Sequence, residues 1–480
     1  MSRRFRPLPN GSAMAPGSSP ALLSRVLSGR PKERAIKLTA ALLLAALLTY
    51  SLLQSSLPPA ATSRVYGLMI DAGSTGSRIH TFTFDRVADP AAVAASTAAA
   101  TSAAAAKAAA AAAAKLQLRG EDFLAIKPGL SSFKTDPKAA AASLLPLLAR
   151  AREVVPASQR QGTPVFLRAT AGLRMVGEEA ADRILREVRQ TLAKSGFRFD
   201  EDKGAEWAKI LGGSDEGIYS WITVNYLLDR RPDDTVGTLE MGGGSSQVAF
   251  VPPVASTATD SCATPSQPVS FKGRPLPLYT TSHLEYGLKK SKAVALAAFE
   301  STNNLTGNPC FHTGALDVGV PFETRSVQVV GTGDFDGCVA ALQSRLQTAV
   351  SPCDCELCTY GRVAQPPAGP SEFVAFAFYA ERTTDIGMTS PLTLADIRAK
   401  GSEVCAMGIE EVRQAYPEGT VKNGVATDLC YDMAFIYTHL AVGHGLHNAP
   451  GTRISVVHKI NDVELGWCLG AMFAELSNLA

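Results

Sequence analysis

Two short segments constrain this chain more than any others. Residues 70–79 read Ile-Asp-Ala-Gly-Ser-Thr-Gly-Ser-Arg-Ile, inside a run (65–84) that is apolar before the glycines and alternates after them, with Ile79, Thr81 and Thr83 against His80, Phe82 and Phe84. That pattern predicts strand, glycine-rich turn, strand. Residues 239–248 repeat it as Leu-Glu-Met-Gly-Gly-Gly-Ser-Ser-Gln-Val, again between strand-like runs (235–239 and 247–251). Asp71 corresponds to Glu240, Gly73 to Gly242, Ser77 to Ser246 and Ile79 to Val248. One such turn says little. Two in matched register imply an internal duplication with one phosphate-gripping hairpin in each half.

The chemistry of the turns supports this. Glycines let main chain approach a phosphate and aim N–H groups at one spot. Ser74, Thr75, Ser77, Ser245 and Ser246 add hydroxyls, and Asp71 and Glu240 stand at equivalent strand ends, where a closed cleft sets them around a hard cation through waters. Plain hairpins with solubilising serines would need only two turn residues. Thr170-Ala-Gly-Leu-Arg174 follows a buried-type strand (164–169), bringing a hydroxyl to a strand end. Asp215-Glu216-Gly217 opens a helix running to about residue 229, and a helix terminus keeps a carboxylate ionised, as a general base requires. Spacing alone fits either Asp215 or Glu216.

Around these motifs strands alternate with helices (139–155, 178–195, 287–299, 339–350, 394–416, 429–443), which predicts an α/β fold. Residues 252–277, rich in Pro, Ser and Thr, read as loop, and the alanine tract 91–114 reads as a low-complexity insertion in a surface loop. Residues 1–37 carry eight Arg and Lys against the single acid Glu33 and read as a disordered cytosolic tail. The uncharged apolar run 38–57 follows. This order predicts a signal anchor, single-pass and type II, with the remainder in the secretory lumen; a cleaved signal peptide is the competing reading. Nine cysteines and the sequon at Asn304 all lie beyond that run. A net charge of +2 gives no argument for a nucleic-acid partner.

Other motifs carry less. Residues 331–337 follow a strand and precede a helix, but their glycine spacing is wrong for a dinucleotide loop. Cys353-Asp-Cys-Glu-Leu-Cys358 favours disulfides over zinc in an oxidising compartment. His444 and His447 read as helix capping. No Walker A sequence or nucleophile elbow occurs.

Five segments together resemble the nucleoside triphosphate diphosphohydrolases, or apyrases, of the actin-like ATPase superfamily. They are Asp71-Ala-Gly-Ser-Thr-Gly-Ser-Arg78, Ala169-Thr-Ala-Gly-Leu-Arg174, Gly213-Ser-Asp-Glu-Gly-Ile-Tyr-Ser-Trp221 with Asn225-Tyr-Leu-Leu228, Leu239-Glu-Met-Gly-Gly-Gly-Ser-Ser-Gln247, and Lys459-Ile-Asn-Asp-Val-Glu-Leu-Gly-Trp-Cys-Leu-Gly-Ala471. The resemblance implies two actin-like (ribonuclease H-like) domains, 64–212 with 458–480 and 213–457, around an interdomain active-site cleft. It implies Ca²⁺ or Mg²⁺ dependence and selects Glu216 to activate the attacking water. Ser74, Thr75, Thr170, Ser245 and Gln247 would hold phosphates and the water, with Gly76, Ser77, Arg78, Gly242, Gly243 and Gly244 completing the phosphate-binding set. Asp71 and Glu240 would order the metal's water shell, and Phe378 or Tyr379 and Phe435 would stack on the base. Family-like spacing implies disulfides Cys310–Cys338, Cys353–Cys358 and Cys405–Cys430. The end segments look most like the endomembrane branch that prefers GDP and UDP, placing the chain in Golgi or endoplasmic reticulum. Glu240 departs from the family, which usually has Asp there, and this bears on the preferred ion. A nucleotide-binding regulator or chaperone of the superfamily would use the same turns with little turnover.

Overall fold

The alternation of residues 65–84 folds as expected. The computed structural model describes residues 63–87, 115–253, 266–348, 365–366, 370–449 and 451–479. Strand β1 (Ser63–Ala72) turns back antiparallel into β2 (Ser77–Val87), and β3 (Lys115–Ile126) continues the meander. Strands β4 (Val165–Ala169) and β5 (Ala208–Ile210) then join parallel to β1, giving the order β3-β2-β1-β4-β5. In the second half β6 (Gly237–Met241), β7 (Ser245–Phe250) and β9 (Arg274–Leu284) form an antiparallel meander with β8 (Ser266–Phe271) on its edge. Strands β10 (Thr306–Gly319) and β11 (Ser326–Gly331) make a separate hairpin. Strands β12 (Glu372–Ala377) and β13 (Arg453–Val456) add parallel to β6, so this sheet runs β13-β12-β6-β7-β9-β8. Without the edge strand β8, the two sheets have one topology: a three-strand meander whose first strand is extended by two parallel neighbours. This is the actin-like (ribonuclease H-like) α/β fold, built twice. The register repeats too. Asp71 pairs with Arg78 and Ala72 with Ser77; Glu240 pairs with Gln247 and Met241 with Ser246.

Helices cover the sheets: α1 (Glu178–Ala193), α2 (Gly213–Leu227), α3 (Leu288–Ser301), α4 (Phe335–Thr348), α5 (Phe378–Asp385), α6 (Leu394–Cys405), α7 (Leu429–Thr438) and α8 (Cys468–Leu479). Helix α1 buries Ala181, Ile184, Leu185, Val188 and Leu192 against Leu68, Ile70, Val165 and Leu167. The second core gathers Leu239, Val248 and Phe250 with Leu296, Phe373 and Leu429. Helices α2 and α8 cross backbone to backbone, because Gly470 has no Cβ to strike the Tyr219 carbonyl and its N–H donates to Thr223 Oγ1 at 2.9 Å. Buried Asn225 ties the end of α2 to the entry of β6. Its Nδ2 donates to the carbonyls of Trp221 (3.0 Å) and Val236 (3.1 Å), and its Oδ1 accepts from the Val236 amide (2.9 Å).

Several expected elements differ. The helix expected over 139–155 is two, Pro137–Ser143 and Leu145–Val154, since Pro146 has no N–H to continue the first and suits the opening turn of the second. The helix expected over 394–416 breaks into α6 and Ile409–Ala415, with Gly408 as N-cap. Helix α7 ends at Thr438 and passes into a π-turn, His439–Gly443. The loop expected over 252–277 contains the β8–β9 hairpin. Lys272 and Gly273 turn it with φ of 48° and 79°, the left-handed pair such a hairpin requires. Its prolines fit because Pro268 faces Pro277 on an exposed side while Val269, Phe271, Leu276 and Leu278 are buried, and β8 is an edge strand.

Disulfides Cys310–Cys338 and Cys405–Cys430 are formed as expected, and Cys468 is a buried free thiol. The Cys353–Cys358 pair, the tail 1–37, the anchor 38–57 and the alanine tract 91–114 lie outside the described residues. Among the described residues no helix is long and apolar enough to cross a membrane. Asn304 is exposed on the turn after α3.

Candidate active site

The two glycine turns face each other across a cavity lined by Asp71, Ser74, Thr75, Arg78 and Thr170 from one side and Glu216, Glu240, Gly242, Gly243, Gly244 and Ser245 from the other. They approach to contact distance. A Cβ on Gly243 would lie 2.6 Å from Thr75 Cγ2 and 2.8 Å from Ser74 Oγ; one on Gly244 would lie 2.9 Å from Ala171 Cβ. The second turn is held from behind by the segment entering α3. Amides of Glu285, Leu288 and Lys290 donate to the carbonyls of Gly244, Gly242 and Gly243 at 2.8, 3.0 and 2.9 Å. Gly287 lies so close that a Cβ there would come within 2.5 Å of the Gly244 and Ser245 nitrogens.

Three carboxylates share the floor. Glu216, in the first turn of α2, is 5% exposed; its Oε2 accepts from Arg174 Nη2 at 2.5 Å and Gln247 Nε2 at 3.2 Å. Glu240, at the end of β6, accepts from Ser220 Oγ at 2.6 Å. Asp71 Oδ2 accepts from Arg78 Nη1 at 3.1 Å, while its Oδ1 is buried with no hydrogen-bond partner. Burial, and then the charge of Glu240, raise the proton affinity of Glu216 against the pull of Arg174. Burial first raises that of Glu240 as well; Asp71 adds to it, and the Ser220 hydrogen bond opposes it. Surplus negative charge around an orphaned carboxylate oxygen suits a hard divalent cation. Among the described residues no three His, Cys, Asp or Glu side chains converge tightly enough to ligate one directly.

The helical turn separates the two candidate bases. Glu216 points into the cavity, whereas neighbouring Asp215 is exposed and lines no part of it. Gln247 is buried behind the turn, its Nε2 also 2.9 Å from Ser245 Oγ and from Ser282 Oγ. Gly76 and Ser77 support the first turn without lining the cavity: a Cβ on Gly76 would meet the Ile126 carbonyl at 2.6 Å, and Ser77 is fully buried at the start of β2.

A second cavity of about 1150 Å³ continues from the first, sharing Ser74, Thr75, Phe378 and Asn423. Phe378 reaches it because β12 turns sharply into α5 at Ala377, held at φ 56°. Tyr379 and Phe435, expected beside a base, line neither cavity. Tyr379 is turned into the core, and Phe435 is stacked on Tyr431 (6.1 Å) and His439 (5.4 Å). Phe322, 51% exposed with φ 67° at the β10–β11 tip, and Tyr416 line the second cavity instead. Neither sits in a motif that sequence could flag. Arg174 and Ser220 do lie within quoted segments, where the sequence shows no partner for them. Residues 331–337 line neither cavity.

Residues 59–480 match the GDA1/CD39 (nucleoside phosphatase) family. The chain is 32% identical to ectonucleoside triphosphate diphosphohydrolase 5 of Bos taurus over 86% of its length and 88% of the relative's. It is equally 32% identical to the guanosine-diphosphatase of Schizosaccharomyces pombe, covering 86% and 74%, and to apyrase 1 of Arabidopsis thaliana, covering 86% and 85%. The solved nucleoside triphosphate hydrolase of Neospora caninum shares the fold with a TM-score of 0.61 at 16% identity, covering 92% of this chain and 98% of that one. The chain belongs to the GDA1/CD39 family and is a nucleoside phosphatase.

Proposed function

We propose that this GDA1/CD39 enzyme removes the terminal phosphate of nucleoside di- and triphosphates, GDP and UDP favoured, using water activated by Glu216. One observation carries the reading: a buried carboxylate of raised proton affinity lies in the cavity between two facing glycine turns. Burial makes Glu216 a stronger base than a solvated carboxylate, and the Arg174 guanidinium opposes part of that rise. Gln247 and Ser245, next to Glu216, orient that water. Ser74, Thr75 and Thr170 and the turn amides hold the phosphate oxygens. Asp71 and Glu240 hold the waters of Ca²⁺ or Mg²⁺, and the cation supplies neutralisation of phosphate charge. The nucleoside occupies the second cavity, with Phe378, Phe322 and Tyr416 against the base. The name of the fission-yeast relative, a guanosine-diphosphatase, supports a diphosphate substrate. The basic-then-apolar N-terminus, the disulfides and exposed Asn304 support a glycosylated type II enzyme anchored by 38–57, with 64–212 plus 458–480 as one domain and 213–457 as the other, in the lumen of Golgi or endoplasmic reticulum.

Residues 64–480, purified, should release phosphate from GDP or UDP with Ca²⁺ or Mg²⁺ and lose this in chelator. Glu216→Gln should bind nucleotide as before and lose about three orders of magnitude in kcat. Undiminished turnover in Glu216→Gln would refute the assignment.

A further inference from the structure

Lys289 is a half-buried cation that forms no ion pair among the described residues and lies over the Phe378 ring. It stands at the start of α3, its Cγ 3.8 Å from where a Cβ on Gly243 would lie and its Nζ 5.7 Å from the centre of the Phe378 ring. It lines the second cavity, while Phe378, Ser74 and Thr75 line both, so Lys289 stands at the passage from the phosphate cleft to the larger chamber. Burial lowers its proton affinity, and it makes no ion pair among the described residues. The acids whose charge reaches it are engaged elsewhere: Asp428 by Lys292, and Asp432 by Arg382 Nε at 2.5 Å. Lys127 lines the same chamber from beside the first turn, its Cγ 3.6 Å from where a Cβ on Gly76 would lie. A partly desolvated ammonium without a carboxylate partner is a ready seat for an anionic ligand.

We propose that Lys289 and Lys127 form a subsite for the phosphate that stays with the nucleoside, the α-phosphate of a nucleoside diphosphate. This rests on the reading of the facing turns as the seat of the phosphate that leaves. In hydrolysis the water oxygen bonds to the terminal phosphorus and its proton passes to Glu216. The bond from that phosphorus to the bridging oxygen breaks, and the electron pair stays on the nucleoside monophosphate. Lys289 and Lys127 neutralise the charge that accumulates there.

The test measures binding of GMP, UMP, guanosine and orthophosphate by calorimetry, beside steady-state hydrolysis of GDP and UDP. Lys289→Gln should weaken GMP and UMP about tenfold or more, as expected for loss of a charge-assisted hydrogen bond, and raise KM for the diphosphates. Guanosine and orthophosphate should bind within about twofold of the native protein. Lys289→Arg should restore most of the monophosphate affinity, and Lys127→Gln should reproduce the loss more weakly because Lys127 is exposed. Unchanged monophosphate binding in both Gln variants overturns the subsite. An equal loss for guanosine overturns it too, since Lys289 would then only shape the chamber wall. If the native protein hydrolyses no diphosphate while Lys289→Gln still loses GMP, the functional reading fails and the subsite stands.

Discussion

The contact between the two turns can be tested with a single methyl group. In Gly243→Ala the new Cβ would lie 2.6 Å from Thr75 Cγ2 and 2.8 Å from Ser74 Oγ, where ordinary contact is 3.4–4 Å. Gly243 does not have a positive φ, so alanine fits its backbone and the collision is the main cost. Both colliding atoms belong to the opposing turn, outside either core, so the structure relieves the clash by parting the turns by about 1 Å. A displacement of that size at a reacting centre costs about 100-fold in rate, or about 2.7 kcal/mol of transition-state stabilisation. We expect kcat/KM for a nucleoside diphosphate to fall by about that factor while folding stability changes by less than about 1 kcal/mol. Phosphate release under single-turnover conditions, paired with denaturant unfolding, measures both. Full activity in a stably folded Gly243→Ala would show that the facing turns do not act as one site.

Two further outcomes concern stability. His283 is 6% exposed and burial lowers its proton affinity to about 4; His439 and His444, with ring centres 4.4 Å apart, are lowered further by burial and by charge on their histidine neighbours. Folded values below unfolded ones mean stability is intact above about pH 6.5 and drains as pH falls toward 4. His283 alone accounts for about 2–3 kcal/mol between pH 7 and 4.5, and a His283→Asn chain with the same acid slope as the native one would contradict this. Asn225→Ala removes hydrogen bonds to both polar groups of Val236 and to the Trp221 carbonyl, and should cost about 2–3 kcal/mol in denaturant unfolding; a loss below about 0.5 kcal/mol would mean water replaces them.

Local pattern carried a large part of this molecule. The β1–β2 and β6–β7 hairpins repeat in sequence because each must present the same turn at the same register, and that repetition reaches as far as strand order. Asp71, Glu216 and Glu240 stood out because a strand end or a helix start fixes where they point. The second cavity was obscure for the opposite reason. Phe322 reaches it from a hairpin tip in a left-handed conformation, and Tyr416 follows a short helix that periodicity merges with α6. Phe378, Tyr379 and Phe435 look alike as aromatic letters, and only the turn at Ala377 decides that the first faces the chamber. The β8–β9 hairpin was hidden by prolines, which signal loop unless the strand is known to be an edge.

The disulfide Cys405–Cys430 encloses Tyr416, Val421, Asn423 and Val425, one wall of the second cavity, whereas neither glycine turn contains a cysteine. We expect maturation to divide in two. A chain made in a reducing host can assemble its phosphate chemistry before its chamber wall is cross-linked. Bacterial cytosolic preparations should thus give poorer discrimination among bases at similar chemical competence, and oxidation should sharpen selectivity more than speed.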